Sequence, residues 1–213
     1  MMTQEETTMR NVIAKLAVSL LIGGLILVIA TPAGAWQQTI VYDFITGGGW
    51  FIQQPGSYSA GSRSNFGWHG GAKNGAWWGN GNYLDHGPIS LHAHSTDVTG
   101  YLRIGDDTTT DPKHPKGVRD ICGHASVTYA TGSGNFWYRV RMKDAGEPGR
   151  DDKFGISLFV ILSGGGIGGN VYTAFGQLNG GGNIQLHRGN NSNTGPATVT
   201  CPPAVFDDTF FFS

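Results

Sequence analysis

The chain has 213 residues, a formal net charge of −1 and 14% charged residues, so it lacks the basic surplus that a nucleic-acid partner requires. Its 35 glycines and 11% aromatic content, with so little charge, argue against a helical or disordered chain and for a turn-rich all-β domain.

Arg10 and Lys15 precede an apolar run, Leu16–Ala30, and "TPAGA" follows. This is the order of a secretory signal peptide over residues 1–35, and the small residues Ala33 and Ala35 place cleavage after Ala35. The run falls short of the roughly 20 residues of a bilayer span. The expected product is therefore secreted, extracellular or at the cell surface, with no membrane segment after cleavage. Residues 36–213 suffice for one domain with a sizeable core.

Beyond the leader no window keeps helical apolar spacing without Gly or Pro intruding. In "TIVYDF" Ile40, Tyr42 and Phe44 share a strand face. "FITGGGWF" then sets Gly47, Gly48 and Gly49 before Trp50. It has no Lys-Ser/Thr ending for a phosphate loop. It predicts a bend between two strands, with one glycine at positive φ and Trp50 turned into the core.

Trp68, Trp77 and Trp78 lie in the Gly- and Asn-rich stretch "SNFGWHGGAKNGAWWGNGN". They read either as a platform stacking on sugar rings or as a buried aromatic cap. His92 and His94 share a strand face, which could begin a zinc or copper site or be an ordinary strand surface. Two short strands surround Gly100. "HASVTYA" and "NFWYRVRM" alternate with period two and are joined at "TGSG", Thr131–Gly134, while "KFGISLFVIL" reads as a central strand. "NVYTAF" and "NIQLH" follow between Gly-rich turns.

Two loops are long, Gly105–Gly117 and Lys143–Lys153. The second gathers Asp144, Glu147, Asp151 and Asp152, which reads either as calcium ligands or as a solvated hairpin loop in which the aspartates fix the turn through backbone N–H groups. No cofactor is expected unless this loop holds calcium. Cys122 and Cys201 are the only cysteines, and in an exported chain they are expected to form a disulfide. About ten short strands give an antiparallel β-sandwich or jelly-roll-like domain.

"FITGGGWF", "SNFGW", "NYLDHG" leading to "LHAHST", "DAGEPGRDDKFGI" and "GGGNIQLH" occur in that order between Phe44 and His187. The set resembles the post-COAP family of bacterial secreted β-domains. The resemblance implies an extracellular module without established catalytic activity, often beside other surface modules. The Gly- and Trp-rich stretch around Trp77, the two cysteines and the tail "FDDTFFFS" depart from it.

No G-x-S-x-G elbow or H-E-x-x-H motif is present, and no catalytic residue is assigned. Ser62, Ser64, His69 and Asp85 have no triad spacing. Three functional readings stand. The chain is a non-catalytic structural or adhesive surface module, a carbohydrate-binding module using Trp68, Trp77 and Trp78, or a glycan-active hydrolase with two carboxylates across a cleft. The partner is then a glycan or another surface protein.

Overall fold

A computed structural model describes residues 43–106, 114–192, 194 and 198–213. The leader, its cleavage point, Ile40 and Tyr42, and residues 107–113 of the first long loop lie outside them. The chain divides into two units, residues 1–37 and 38–213, and the described residues belong to the second.

The fold is all-β, one curled antiparallel sheet of ten strands. The strands are β1 (Phe44–Ile52), β2 (Arg63–Lys73), β3 (Ala76–Asp85), β4 (His92–Ser95), β5 (Gly100–Asp106), β6 (Gly117–Tyr129), β7 (Gly132–Asp144), β8 (Lys153–Ile161), β9 (Ile167–Gln177) and β10 (Gly182–His187). Their order is β10-β1-β2-β3-β4-β6-β7-β8-β9, with β5 on β6. β6 is the spine. Its Ala125–Thr128 half pairs with β4, its Gly117–Cys122 half with β5, and its whole length with β7.

Alternation drives the curl, because the even residues of β2 and the odd residues of β3 bury against those of β7 and β8. Phe66 stacks on Phe154 at 4.0 Å, and Trp68 meets Tyr138 edge-on at 5.0 Å. The curl brings the ends of the sheet together. Gln54 and Tyr58 donate backbone N–H groups to Phe175 and Thr173 of β9. At the other edge the Ile184 and Leu186 N–H groups of β10 donate to Asp152 and Asp144 side chains at 2.6 and 2.7 Å. A sandwich or jelly roll is compatible with this curled sheet.

The predicted bend at Gly47–Gly49 is absent, since β1 runs unbroken through all three glycines. The predicted positive φ is present, at Gly49 (φ +158°), and close approach adds a second reason for glycine there. A Cβ there would collide with the Gly181 carbonyl oxygen and lie 2.7 Å from Gly182 Cα. A Cβ at Gly47 would lie 2.7 Å from the Ile184 side chain. Trp50 does not turn inward either; it is 38% exposed, with the Arg63 guanidinium 4.8 Å above its ring.

The Gly- and Asn-rich stretch forms the β2–β3 hairpin. Its two-residue turn is Asn74-Gly75, both at positive φ (52° and 78°), the type I′ geometry this dipeptide favours. The β6–β7 turn falls at Ala130-Thr131, one residue before "TGSG" begins to pair. The tail forms a short helix, α1 (Asp208–Phe212), capped when Asp207 accepts from the Thr209 N–H.

Candidate functional site

The two outer faces of the curled sheet differ. Over β6–β8 the tail lies as a strap. The predicted disulfide joins Cys201 to Cys122, and the Arg139 guanidinium donates to the Pro202 carbonyl at 2.6 Å. The rings of Phe206 and Phe211 lie 5.2 and 5.5 Å from the Arg141 guanidinium. Asp120, fully buried, accepts from both Arg139 and Arg141, and Arg141 also pairs with Asp208. Lys153 donates to Phe210 and Ser213.

Among the described residues the opposite outer face, made by β10, β1, β2, β3 and β4, is left open. The registers place its outward residues in rows across the strands. One row is Asn183, Gly48, Gly67, Asn82 and His94. Gly48 and Gly67 are exposed, and nothing lies within 4 Å of where a Gly67 Cβ would stand. The row on one side is Gln185, Thr46, His69 and Asn80, and the row on the other holds Trp50, Asn65, Leu84 and His92. A bare strip is thus flanked by amides, imidazoles and an indole.

One outward row beyond Thr46 and His69, aromatic rings gather at His187, Phe44 and Trp78. Phe44 stacks on His187 at 4.3 Å and 9°, and Trp78 lies 5.6 Å from Phe44 and 5.7 Å from His69. Burial lowers the His187 imidazole below its ordinary value while the Asp144 charge opposes it. The neutral ring exchanges a hydrogen bond with Thr46 Oγ1 at 2.9 Å. His94 Nδ1 and Asn82 Oδ1 are 2.9 Å apart. The outward side chains of these five strands include no carboxylate.

The three predicted stacking tryptophans do not form a row. Trp68 is 1% exposed in the core, because even residues of β2 face inward. Trp77 is on the inner face of β3, half-buried, and donates its indole N–H to the Thr198 carbonyl at 2.8 Å. Trp78 alone is on the open face. Trp50 and Phe44 join it there, and the signal that could have found them is β1 read as one strand, on which 44, 46, 48 and 50 share a side.

The acidic loop is anchored to backbone. Asp144 accepts from the Gly146 and Leu186 N–H groups, and Asp152 from those of Ala145 and Ile184. Burial raises both carboxyls, Asp152 to about 6, with the N–H donors pulling down. Glu147 accepts from Asn183 and Asp151 from Gln177. Among the described residues no three His, Cys, Asp or Glu side chains gather as metal ligands. His92 and His94 both point outward, and the described neighbours provide no third ligand.

Ser64 and Asp85 are in the core, within a hydrogen-bonded chain through Gln53, Tyr83 and Tyr172. Burial raises the Tyr83 and Tyr172 phenols, so they remain neutral there. His69 stands on the opposite face of β2 from Ser64, so the two do not assemble. Asp43 and Asp97 are engaged apart, the first with Arg119 and the second with His124.

Beside the aromatic end of the open face is a pocket of about 600 Å³, lined by Phe44, Gln185 and His187 from that face and by His114, Lys116, Asp144, Glu147 and Arg188. Its volume falls within the range of about 300–1,000 Å³ for small-ligand sites. Among the described residues no helix is long and apolar enough to cross a membrane. Comparison of the chain with family models, with curated proteins and with solved structures finds no match.

Proposed function

We propose that this chain is a secreted, non-catalytic surface module that binds carbohydrate on the open face of β10-β1-β2-β3-β4. One observation carries the reading. Five registered strands present a glycine strip between rows of Asn, Gln, His and Thr, with indole and phenyl rings at its margins and no carboxylate. Hydroxyl-rich sugars need dense, uncharged donors and acceptors together with flat apolar rings, and this surface offers both. A nucleic acid would need a denser set of cations than Arg63 and Lys73 of this face, and an obligate protein interface would need a more apolar centre. The disulfide fits an oxidising compartment. The post-COAP resemblance agrees with an extracellular module.

The test is a polysaccharide array followed by calorimetric titration of the exported protein. Binding that falls about tenfold or more in Asn80→Ala/Asn82→Ala and in Trp50→Ala, with folding intact, supports the reading. If no glycan is retained, or if both variants bind as wild type does, the reading fails.

A further inference from the structure

We infer that the pocket beside the open face receives a sugar ring carrying an anionic group, a carboxylate or a sulfate ester, so that the glycan bound by the face is an acidic one. This rests on the carbohydrate reading of the face. The pocket and the face share Phe44, Gln185 and His187, and the Phe44–His187 stack forms their common wall. A chain lying along the outward rows of the face reaches the pocket without leaving the protein surface.

The charges in the pocket are not equivalent. Asp144 is buried and both its oxygens accept backbone N–H groups, so its lone pairs are turned to Gly146 and Leu186. Glu147 holds Asn183 through Oε1. Lys116, Arg188 and His114 line the same space, and among the described residues neither the Lys116 ammonium nor the Arg188 guanidinium forms an ion pair or hydrogen bond. Two of the donors available to a ligand, the Lys116 ammonium and the Arg188 guanidinium, are therefore cationic. Such groups hold an anionic oxygen through charge-assisted bonds, the stronger class of hydrogen bond. Lys116 Cε and Nζ lie against Gly146, whose φ of +103° also disfavours a side chain, so the glycine leaves room for the lysine chain.

Titrations with cellohexaose, an oligogalacturonate and a sulfated carrageenan oligosaccharide test this. At least one anionic chain is expected to bind about tenfold or more tightly than the neutral one at low salt. That excess should vanish in Lys116→Gln/Arg188→Gln and near 0.5 M sodium chloride, where screening is short-ranged (~0.5 M, Debye length of a few Å). Glu147→Gln should strengthen anionic binding, since it removes the opposing charge. Whichever anionic chain keeps the larger excess identifies carboxylate or sulfate. Equal binding of neutral and anionic chains, an excess that survives the double variant, or weaker anionic binding in Glu147→Gln overturns the inference. The two proposals separate cleanly. If neutral binding responds to Asn80→Ala/Asn82→Ala but the double variant changes nothing, the face stands and the pocket falls. If only the double variant matters, the pocket stands and the face falls.

Discussion

The two outer faces of one curled sheet meet water in opposite ways. Over β6–β8 the strap buries both sides of the strands, and the charged residues beneath it are paired inside the protein. Over β10–β4 no strap residue lies on the sheet among the described residues, and apart from Arg63 and Lys73 its outward polar residues are amides, imidazoles and a threonine hydroxyl, most of them exposed. On the proposed reading the difference separates stability from recognition. Charges removed from water must be matched to be tolerated, so the strapped face is fixed by its partners. An uncovered row of amides contributes little to folding and is free to meet a ligand.

The largest effect should come from breaking the match under the strap. Asp120→Ala leaves the buried Arg139 guanidinium without a carboxylate and Arg141 with Asp208 as its one remaining acidic partner. Removing one partner of a buried pair costs about 3–5 kcal/mol. Denaturant unfolding is expected to show a loss of that order or no folded protein. A loss under about 1 kcal/mol would mean that the strap does not exclude water there.

Next is the covalent fastening of the strap. Reduction, or Cys122→Ser/Cys201→Ser, is expected to cost about 2–4 kcal/mol, read as a lower melting temperature under reducing conditions. Glycan binding should persist in whatever fraction stays folded, since among the described residues no hydrogen bond or ring contact joins the outward side chains of the open face to the strap. Loss of binding in folded, reduced protein would couple the two faces.

Gly49→Ala should cost about 1–3 kcal/mol, the range for forcing extra atoms into a close-packed site. The added Cβ meets Gly181 and Gly182 backbone, which cannot rotate away as a side chain would. Gly48→Ala is the control. Its Cβ would be 3.5 Å from the nearest atom, the Phe66 carbonyl oxygen, and should leave unfolding nearly unchanged. Equal effects at both positions would refute the close-approach account.

Much of this contrast was hidden in the sequence, for identifiable reasons. β8 reads as a continuous apolar run, and that correctly signals burial on both sides. β7 alternates Val140 and Met142 with Arg139 and Arg141, which reads as a half-exposed strand. The strap that buries the arginines arrives from Pro202 and Phe206, a contact no local pattern encodes. The cysteine pair was the one legible hint of it. β2 and β3 were missed as strands because Gly and Asn have low strand propensity, although Asn74-Gly75 is a strong hairpin signal. The triple glycine reads as a bend because its use, close approach to Gly181 and Gly182, depends on a segment far along the chain. With β1 broken in that reading, Trp50 was placed inward and the open face could not be assembled.

pH probes the seam between the faces. Asp152 accepts from Ala145 and Ile184, beside Asp144 and Glu147, and its carboxyl rises to about 6. An unfolded aspartate titrates near 3.9. Between about pH 4 and 6 the folded state therefore holds more protons than the unfolded state, so stability falls as pH rises through that window. Asp144, also raised, acts in the same direction. The melting temperature should be higher near pH 4.5 than near pH 7, and the slope should shrink in Asp152→Asn. A rise in stability from pH 4.5 to 7 that the variant leaves unchanged would show that other carboxylates govern the profile.

The smallest stability effect is expected on the open face, and its smallness is what the comparison requires. Asn80 and Asn82 point outward from β3, exposed, opposite His69 and Gly67. Asn82 does meet His94, but both side chains are exposed to water, which replaces that hydrogen bond when either is removed. Asn80→Ala/Asn82→Ala should therefore shift unfolding by no more than about 0.5 kcal/mol, the usual range for surface positions. In strands alanine and asparagine have similarly poor propensity, so no compensating gain obscures the reading. The same double variant should reduce carbohydrate affinity by about tenfold or more, because each amide presents a donor and an acceptor where a sugar hydroxyl would lie. Unfolding and titration on one protein sample give both numbers. Intact stability with lost binding places recognition on this face and stability beneath the strap. A loss of several kcal/mol with unchanged affinity would reverse that assignment and make the Asn-rich rows part of the scaffold.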